Sequence, residues 1–336
     1  MSHICGHLPA IWWSIERLAK DWSAKIRPLF DLFAATMSGP LDLPQSASPK
    51  SLILSGGRHG VLLFHGLSSS PLELQFVARG IQRAGYSVRV PVIEGYTFGH
   101  HLGQPKTVGQ WVATALKELD QMLATYDTVS VGGICLGAVL ALRVAALRSD
   151  RLASVMALST ALHYDGWGNP WFTPLLSLAR YTPFARRIRV RERSPFGLKD
   201  ERMRAWVARQ MKEVGESDAG ASHLRVADLL KARELIALVR PSLSDITAPV
   251  LLLHAKEDEC ATPRSSFEVA SRVQSSRIRC VLLNDCYHMI SIDREKERVL
   301  TEMVQFLSHS EEERSAHASG RSKVLSLFES RKGTDQ

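Results

Sequence analysis

The chain alternates short, fully apolar runs with longer helical segments from about residue 58 onward. Apolar runs of this length are typical of strands that are covered on both faces of a parallel sheet. Strands that alternate with helices of ordinary length predict an α/β fold, with a mostly parallel sheet and helices on both of its faces. The runs that predict strands are GVLLFHG, SVRVPV, TVSVGG, LASVMALS, PVLLLHA and RIRCVLLN.

Capping signals mark where two of the helices begin. Ser70, followed by Pro71 and then by Glu73, predicts a capping box at the start of the first helix. Thr107 and Gln110 predict a second capping box, which opens a helix that ends near residue 125. The remaining helices are predicted over 136–147, 199–213, 222–240 and 293–308.

Changes in composition divide the chain into parts. Aromatic and aliphatic residues at spacings of three and four predict an amphipathic helical extension over 1–37, which either packs on the body or lies on a membrane surface. Pro and Ser predict a linker over 38–57, and Ser, Glu, Arg and Lys predict a flexible tail over 309–336. The α/β body is predicted over 58–159 and 246–308, with an inserted lid domain over 160–245.

Charge and cysteine content narrow the classes of partner and compartment. The net charge is +8, and six arginines fall between residues 180 and 193. Such a patch attracts phosphates, anionic cofactors, acidic proteins or a membrane surface, but no motif supports nucleic acid. The five cysteines include no CxxC pair, and the N-terminus lacks a secretory signal, so a reducing, cytoplasmic location is expected. A peripheral membrane contact through the N-terminal helix is the alternative.

The segment Gly133-Ile134-Cys135-Leu136-Gly137 lies between a predicted strand and a predicted helix. A G-x-nucleophile-x-G run at such a turn is the nucleophile elbow, which lifts one side chain over the sheet. The start of the helix also favours a thiolate at this position. Cys135 is therefore the predicted nucleophile, with a buried structural cysteine as the alternative interpretation.

Two later strand ends supply an acid and a base. Asp258 follows the strand PVLLLHA, and Glu257 and Glu259 compete with it for the role of orienting acid. His288 follows the strand RIRCVLLN and is the predicted proton carrier. The rival histidines, none of which follows the last predicted strand, are His65, His100, His101, His163 and His254.

The loop after the first apolar run supplies the remaining half of a site. A loop at this position can offer a backbone N–H to a developing oxyanion, and the residue after the nucleophile offers another. These donors are predicted to be Leu67 and Leu136. No metal and no organic cofactor are predicted for this chemistry.

From about residue 58 to residue 308 the chain resembles the α/β-hydrolases grouped with bacterial carboxylesterases and monoacylglycerol lipases. The stretches that carry the resemblance are VLLFHGLSSSPLEL, GYSVRVPVIEGYTFG, VSVGGICLGAVLAL, ITAPVLLLHAKEDECATP and CYHMISID. The resemblance implies Cys135, Asp258 and His288 as a catalytic triad, with Leu67 and Leu136 as oxyanion donors.

The chain departs from that family at the nucleophile, where the usual residue is serine. The GICLG elbow is similar to that of dienelactone hydrolases and to the cysteine elbow of polyhydroxyalkanoate synthases. A cysteine forms a thioester intermediate, which is open to amine, thiol or alcohol acceptors as well as to water. The departure therefore favours thioester hydrolysis, lactone opening or acyl transfer over a simple esterase.

These observations lead to an expected function with open alternatives. We expect hydrolysis of an ester or thioester of an acyl-type substrate, with coenzyme A or an acyl carrier protein as a candidate carrier. The alternatives are an acyltransferase that uses the same triad, a binding protein that retained the fold, and a redox or metal role involving Cys260 and Cys286. The predicted substrate-contacting lid residues are Trp167, Trp171, Phe172, Arg189 and Arg191.

Overall fold

The computed structural model describes residues 49–98, 106–169, 189–191, 193–213, 216–217, 220–221 and 223–311. The predicted N-terminal helix over 1–37 lies outside the described residues, as do Trp171, Phe172 and most of the predicted tail. The fold class predicted from the sequence is confirmed: a mostly parallel sheet lies between two layers of helices.

The main sheet of the described chain has seven strands in the order β1-β3-β2-β4-β5-β10-β11. All neighbouring pairs are parallel except β1 and β3, which are antiparallel. The strands are β1 Leu52–Leu54, β2 His59–Phe64, β3 Ser87–Val90, β4 Thr128–Ile134, β5 Ser154–Leu158, β10 Val250–Ala255 and β11 Ile278–Leu283. Because the parallel strands all run the same way, the loops that follow them meet at one edge of the sheet.

Helices connect these strands and cover the sheet. The described helices are α1 Gln75–Arg83, α2 Val108–Thr125, α3 Leu136–Arg148, α4 Glu201–Glu213, α5 Val226–Val239, α6 Arg264–Arg272 and α7 over 296–311. The predicted capping box of Thr107 and Gln110 is confirmed at the start of α2, where each side chain bonds the other residue's backbone N–H. None of the helices that the structure describes is long and apolar enough to cross a membrane.

The strands separate two apolar cores, because successive side chains of a strand point to opposite faces. In β2, Leu62 packs with α2, α3 and α5, whereas Leu63 packs with α1 and α7. Both side chains are fully buried or nearly so. This burial on both faces explains why the predicted strands contain continuous apolar runs instead of an alternating pattern.

Two local predictions were wrong. The predicted linker over 38–57 contains the edge strand β1, whose three residues are too few to give a strand pattern. At the start of the first helix, Ser70 accepts the N–H of Leu72, but Glu73 does not complete a capping box. Its carboxyl group bonds the N–H of Gly66 instead, because this buried donor lies within reach.

The insertion between β5 and β10 is described only in part. It contains α4, α5 and two small antiparallel sheets, in which β6 Arg189–Arg191 pairs with β9 His223–Arg225 and β7 Glu216–Ser217 pairs with β8 Gly220–Ala221. The role of residues 160–245 as a lid stays a prediction.

The close approach of backbone at the elbow predicts that a side chain at Gly137 would destabilise the fold. A Cβ on Gly137 would overlap the carbonyl oxygens of Phe64 and His65, which belong to the neighbouring strand and its loop. We expect Gly137→Ala to lower the free energy of unfolding by about 1–3 kcal/mol, the usual cost of overpacking. Urea unfolding monitored by circular dichroism measures the change.

Gly109→Ala is the matched control, because the nearest atom to its added Cβ is Thr107 Oγ1 at 3.8 Å, an ordinary contact. That substitution is expected to leave the stability unchanged or to raise it slightly, since alanine favours a helix. Equal unfolding midpoints for the two variants would show that the close backbone approach at the elbow is not a constraint.

Candidate active site

Three side chains that follow different strands meet at the carboxyl edge of the sheet. Cys135 follows β4, Asp258 follows β10 and His288 follows β11. The Nδ1 atom of His288 lies 2.9 Å from Oδ1 and 2.8 Å from Oδ2 of Asp258. The structure therefore brings together all three residues that the sequence analysis singled out as a triad.

Cys135 occupies a strained backbone conformation, with φ 58° and ψ −121°. Its N–H donates to the carbonyl of Leu158 at 2.9 Å, and its own carbonyl accepts from Val139 and Ala161, each at 3.4 Å. A left-handed conformation in a non-glycine residue persists only where the surroundings enforce it, and such residues cluster at functional sites. The elbow thus points a partly buried thiol toward the space above the sheet.

The surroundings of the Cys135 thiol favour its charged form. A hydrogen bond from the thiol of Cys260 is the largest cause that lowers its pKa, and the charge of His288 and the N–H of Leu136 act in the same direction. Burial opposes these effects, but the pKa remains well below its usual range. A thiolate is the reactive form of cysteine, so this position is prepared for nucleophilic attack.

His288 is buried beside this thiol and is held in its charged form as well. Burial alone would lower its pKa, but the negative charges of Asp258 and Cys135 raise the pKa well above its usual range. The Nε2 atom has no well-directed hydrogen bond to any described atom. Catalytic hydrogen bonds are often long in unliganded enzymes and shorten when substrate binds, so this geometry is compatible with proton transfer.

Asp258 is fixed by four neighbours. Its Oδ1 accepts the N–H groups of Cys260 and Ala261, each at 2.8 Å, and its Oδ2 lies 3.3 Å from Nε2 of His254. Burial alone would raise its pKa, but the charge of His288 and the hydrogen bonds from the side chains of His254 and His288 keep the pKa well below the usual range. The carboxylate is therefore ionised and can hold the imidazolium of His288.

The two competing acids have other roles. Glu257 is exposed and accepts from Nζ of Lys199 at 3.0 Å. Glu259 accepts the backbone N–H of His288 at 3.1 Å, so it supports the loop without bonding the imidazole ring. The geometry selects Asp258 among the three acids.

Of the rival histidines that the structure describes, His65 and His163 bond other groups, whereas His254 contacts Asp258 through Nε2. His65 is buried, with Nδ1 donating to the carbonyl of Gly66 at 2.7 Å and Nε2 accepting from Thr97 at 2.9 Å, and burial lowers its pKa to about 4. His163 pairs with Glu268 at 2.6 Å. His254 contacts Ser266 and the carbonyl of Ala261, and His100 and His101 lie outside the described residues.

One predicted oxyanion donor, Leu67, belongs to the loop after β2, and the other, Leu136, belongs to the elbow. The loop after β2 turns at Ser68, which has φ 54° and donates its N–H to the carbonyl of Tyr96 at 3.1 Å. Within the described residues no hydrogen bond uses the N–H of Leu67, so it is available to a ligand. The N–H of Leu136 begins α3 and contacts the thiol of Cys135, where the helix dipole favours negative charge.

Two residues near the thiol have functions that the sequence analysis did not assign. Glu73 was interpreted as a capping residue, but it is buried and its carboxyl group lies beside Gly66 and Cys135. Cys260 was considered only for a redox or metal role, and its thiol forms a hydrogen bond with that of Cys135. The place of Cys260 two residues after Asp258 was the available signal, whereas Glu73 carried none beyond the capping pattern.

Cys286, the other cysteine noted in the sequence, lies in a different environment. It is buried, its Sγ lies 3.8 Å from Oε2 of Glu295, and burial raises its pKa above the usual range. It is therefore an inert thiol. Among the described residues no group of three or more His, Cys, Asp or Glu side chains could hold a metal ion.

The structure describes three of the five predicted lid residues. Trp167 is largely exposed, and its Nε1 donates to the carbonyl of Glu257 at 3.1 Å while its ring meets that of Tyr287 edge-on at 5.5 Å. Arg189 and Arg191 lie on strand β6, which pairs with β9. Trp171 and Phe172 lie outside the described residues.

A segment of the insertion is bonded to the loop that carries His288. The carboxylate of Asp293 accepts the N–H groups of Lys199 and Asp200, at 2.8 and 2.9 Å, and also that of Tyr287 at 2.8 Å. The carbonyl of Gly197 accepts the N–H of Met289 at 2.9 Å. The residues just before α4 thus help to support the loop that carries His288.

The contact between the two thiols generates a prediction about reactivity. Cys260→Ala removes the donor, so the pKa of the Cys135 thiol should rise and its alkylation by iodoacetamide at pH 6 should slow several-fold. Cys260→Ser keeps a donor and should restore most of the rate. Peptide mass mapping after timed alkylation gives the rate at Cys135.

Cys280→Ala is the control, because Cys280 is an exposed residue of β11. It should leave the alkylation rate of Cys135 unchanged. The same rate in Cys260→Ala as in the unaltered protein would show that the second thiol does not activate the first.

Comparison with known proteins identifies the family. The family model described as "Serine aminopeptidase, S33" matches residues 57–295. The chain is 20% identical over 265 residues to the thermostable monoacylglycerol lipase of Bacillus sp. (strain H-257), a match that covers 79% of this chain and 96% of the lipase. It is 21% identical over 263 residues to the carboxylesterase of Bacillus subtilis (strain 168), covering 77% and 96% of the two chains.

A solved structure of a metagenome-derived lipolytic enzyme, reported for LipS and LipT, has the same fold. The TM-score is 0.66 at 22% identity, over 79% of this chain and all of that chain. The family description names a serine enzyme, whereas residue 135 of this chain is cysteine. Because the family model matches well over half of its length, the chain belongs to the family described as "Serine aminopeptidase, S33", within the α/β-hydrolase superfamily.

Proposed function

We propose that the protein hydrolyses an ester or thioester bond of an acyl-type substrate through a covalent acyl-cysteine intermediate on Cys135. The observation that carries this proposal is the low-pKa thiol at the elbow, beside the buried ion pair of His288 and Asp258. The similarity to a lipase and a carboxylesterase supports hydrolysis of an ester-type bond.

The first half-reaction forms the intermediate. The thiolate of Cys135 attacks the carbonyl carbon of the substrate, and the carbonyl oxygen becomes an oxyanion that accepts the N–H groups of Leu67 and Leu136. His288, as imidazolium, then gives its Nε2 proton to the departing alcohol or thiol. The bond to the leaving group breaks, and the acyl group remains on sulfur as a thioester.

The second half-reaction releases the acid. His288 is now neutral and takes a proton from water as the water oxygen attacks the thioester carbon. Collapse of the second oxyanion breaks the carbon–sulfur bond and returns Cys135 to the thiolate. Asp258 remains ionised throughout and holds the imidazole in one orientation, with Nδ1–H directed at the carboxylate.

Acyl transfer is a second candidate, which the cysteine itself favours. A thioester reacts readily with amines and thiols, so another acceptor can replace water in the second half-reaction. Free acid as the product in the presence of competing amine, thiol and alcohol acceptors supports hydrolysis, whereas acylated acceptor supports transfer.

Cys135 variants test the covalent mechanism. We expect Cys135→Ala to lower kcat/KM by roughly 10⁴-fold or more, since loss of a nucleophile removes the catalytic unit. Intact-protein mass after incubation with a panel of acyl esters and acyl thioesters should show an acyl adduct in the unaltered protein and none in this variant. Cys135→Ser keeps the geometry without the thiolate and should retain only weak ester hydrolysis.

Cys286→Ala is the control for loss of a buried thiol that lies outside the site, and it should retain activity. Unchanged kinetics in Cys135→Ala would contradict the mechanism. A thiol that is inert near pH 6, with no adduct from any donor, would instead support a binding protein that retained the fold.

We also propose that the acyl group arrives on an anionic carrier such as coenzyme A or an acyl carrier protein. The support is the run of arginines that includes Arg189 and Arg191, which lie two residues apart on strand β6. Arginine binds phosphate groups through several donors at once. Attraction between charges in solvent weakens as salt rises, because screening acts over about 8 Å at physiological ionic strength.

The carrier proposal predicts a salt-dependent preference between substrates. At low salt, a coenzyme A thioester should have a several-fold higher kcat/KM than a neutral thioester of the same chain length, and high salt should shrink that ratio. Arg189→Ala/Arg191→Ala should remove the preference while leaving the neutral substrate unaffected. A ratio that does not change in the variant at low salt would rule out carrier recognition by these arginines.

A further inference from the structure

The buried carboxyl group of Glu73 lies against the loop that follows β2 and carries Leu67, which we call the oxyanion loop (residues 65–70). Its side chain folds back from the short helix that follows the loop, and Oε2 accepts the N–H of Gly66 at 2.7 Å. A Cβ on Gly66 would lie 3.2 and 3.3 Å from the two carboxyl oxygens and 3.6 Å from Cβ of Cys135. The carboxyl group and the nucleophile therefore flank the same glycine.

No lysine or arginine side chain in the described part of the chain compensates this carboxyl group. Glu73 is 2% exposed, and no lysine or arginine in the described part of the chain forms an ion pair with it. A buried carboxylate without a partner is costly, so such a group takes up a proton instead. Burial is the main cause that raises the pKa of Glu73 to about 8, and the charge of Cys135 acts in the same direction, whereas the hydrogen bonds from Gly66 and Ser69 and the charge of His288 oppose the rise.

The groups that face Glu73 come from each of the surrounding loops. Cys135 lies on the elbow after β4, His288 follows β11, and the hydroxyl of Tyr96 is held by the carbonyl of His65 at 2.7 Å. The hydroxyl of Ser69 lies beside the carboxyl group and is otherwise without a partner among the described residues. Of these groups only His288 carries positive charge, and Asp258 already holds that charge.

We propose that Glu73 acts as a neutral carboxylic acid that positions the oxyanion loop, and that its ionisation switches the site off. Oε2 accepts the N–H of Gly66 and fixes the backbone from which the next residue, Leu67, offers its own N–H. Oε1 carries the proton. The inference rests on the proposed function, because it assigns Glu73 a role at the same nucleophile.

The neutral form matters because the reaction creates negative charge nearby. The thiolate and the oxyanion both lie on the Cys135 side of Gly66, and a second anion there would repel them. As the pH rises through about 8, Glu73 loses its proton, and stabilisation of the oxyanion weakens. Below that pH the acid holds the loop without this penalty.

The alkaline limb of the pH profile tests the proposal. Loss of the His288 proton also lowers activity at high pH. The fall in activity of the unaltered protein at alkaline pH therefore reflects the ionisation of two groups, Glu73 and His288. Glu73→Gln keeps an oxygen acceptor for Gly66 and cannot ionise, so the fall in kcat/KM should move to higher pH while the rate near pH 7 stays within a few-fold. Glu73→Ala removes the acceptor and should lower kcat/KM about tenfold across the range, because the loop loses its position.

Glu94→Gln is the matched control, because it removes a carboxylate that pairs with Lys106 on the surface. It should leave the whole profile unchanged. Profiles of Glu73→Gln and the unaltered protein that superimpose from pH 6 to pH 10 would overturn the proposal.

A measurement without substrate separates this inference from the proposed function. In protein labelled with ¹³C at glutamate side-chain carboxyls, the resonance that is absent from both Glu73→Gln and Glu73→Asp belongs to Glu73. Its titration midpoint should lie near pH 8, and a midpoint near the ordinary value of about 4.3 would overturn the proposal. A protein that hydrolyses no ester or thioester but shows the raised midpoint would refute the proposed function alone.

The pH dependence of protein stability provides an independent check that the pKa of Glu73 is raised and not lowered. The folded protein binds the Glu73 proton more tightly than the unfolded chain, so this group favours folding most below pH 4.5, and the contribution is lost as the pH rises to about 8. The melting temperature of Glu73→Gln relative to the unaltered protein should therefore increase over that interval. A constant difference would contradict a neutral buried acid.

Discussion

The rest of the site depends on the hydrogen bonds that the carboxylate of Asp258 accepts. It accepts the Nδ1–H of His288 and the backbone N–H of Cys260, two of the residues that contact the thiol of Cys135, the third being Leu136. One carboxylate therefore sets the position of the two side chains that favour the charged form of this thiol. Asp258 lies three residues after the end of the buried strand β10, so the sheet holds this carboxylate in a fixed position.

The site separates two carboxyl groups by their surroundings. Asp258 is buried among donors and a cation, which stabilise its charged form. Around Glu73, burial and the neighbouring charge of Cys135 outweigh the donors and the charge of His288, so the neutral form is favoured. Pairs of acids whose environments push their pKa values apart are a recurrent feature of enzyme sites. Here the ionised acid supports the imidazole and the neutral acid supports the oxyanion loop.

The sequence predicted the elements whose determinants are local. Continuous apolar runs predicted the strands. Because Cys135, Asp258 and His288 each follow a predicted strand, in the order nucleophile, acid and histidine, the sequence also predicted that these three residues would meet. Glu73 was misassigned because a capping residue and a buried loop anchor have the same sequence spacing, and only the folded loop places a donor within reach. Contact between Cys135 and Cys260 depends on the register of β4, β5 and β10, which no local pattern encodes.

The hydrogen bonds at Asp293 join the insertion to the loop that carries His288. Its carboxylate accepts two N–H groups from the segment before α4 and also holds the backbone of Tyr287, the residue next to His288. Any displacement of that segment would therefore remove part of the support of the backbone beside the imidazole. A substitution in the segment before α4 is expected to act on His288 through this backbone contact, without touching Cys135 or Asp258.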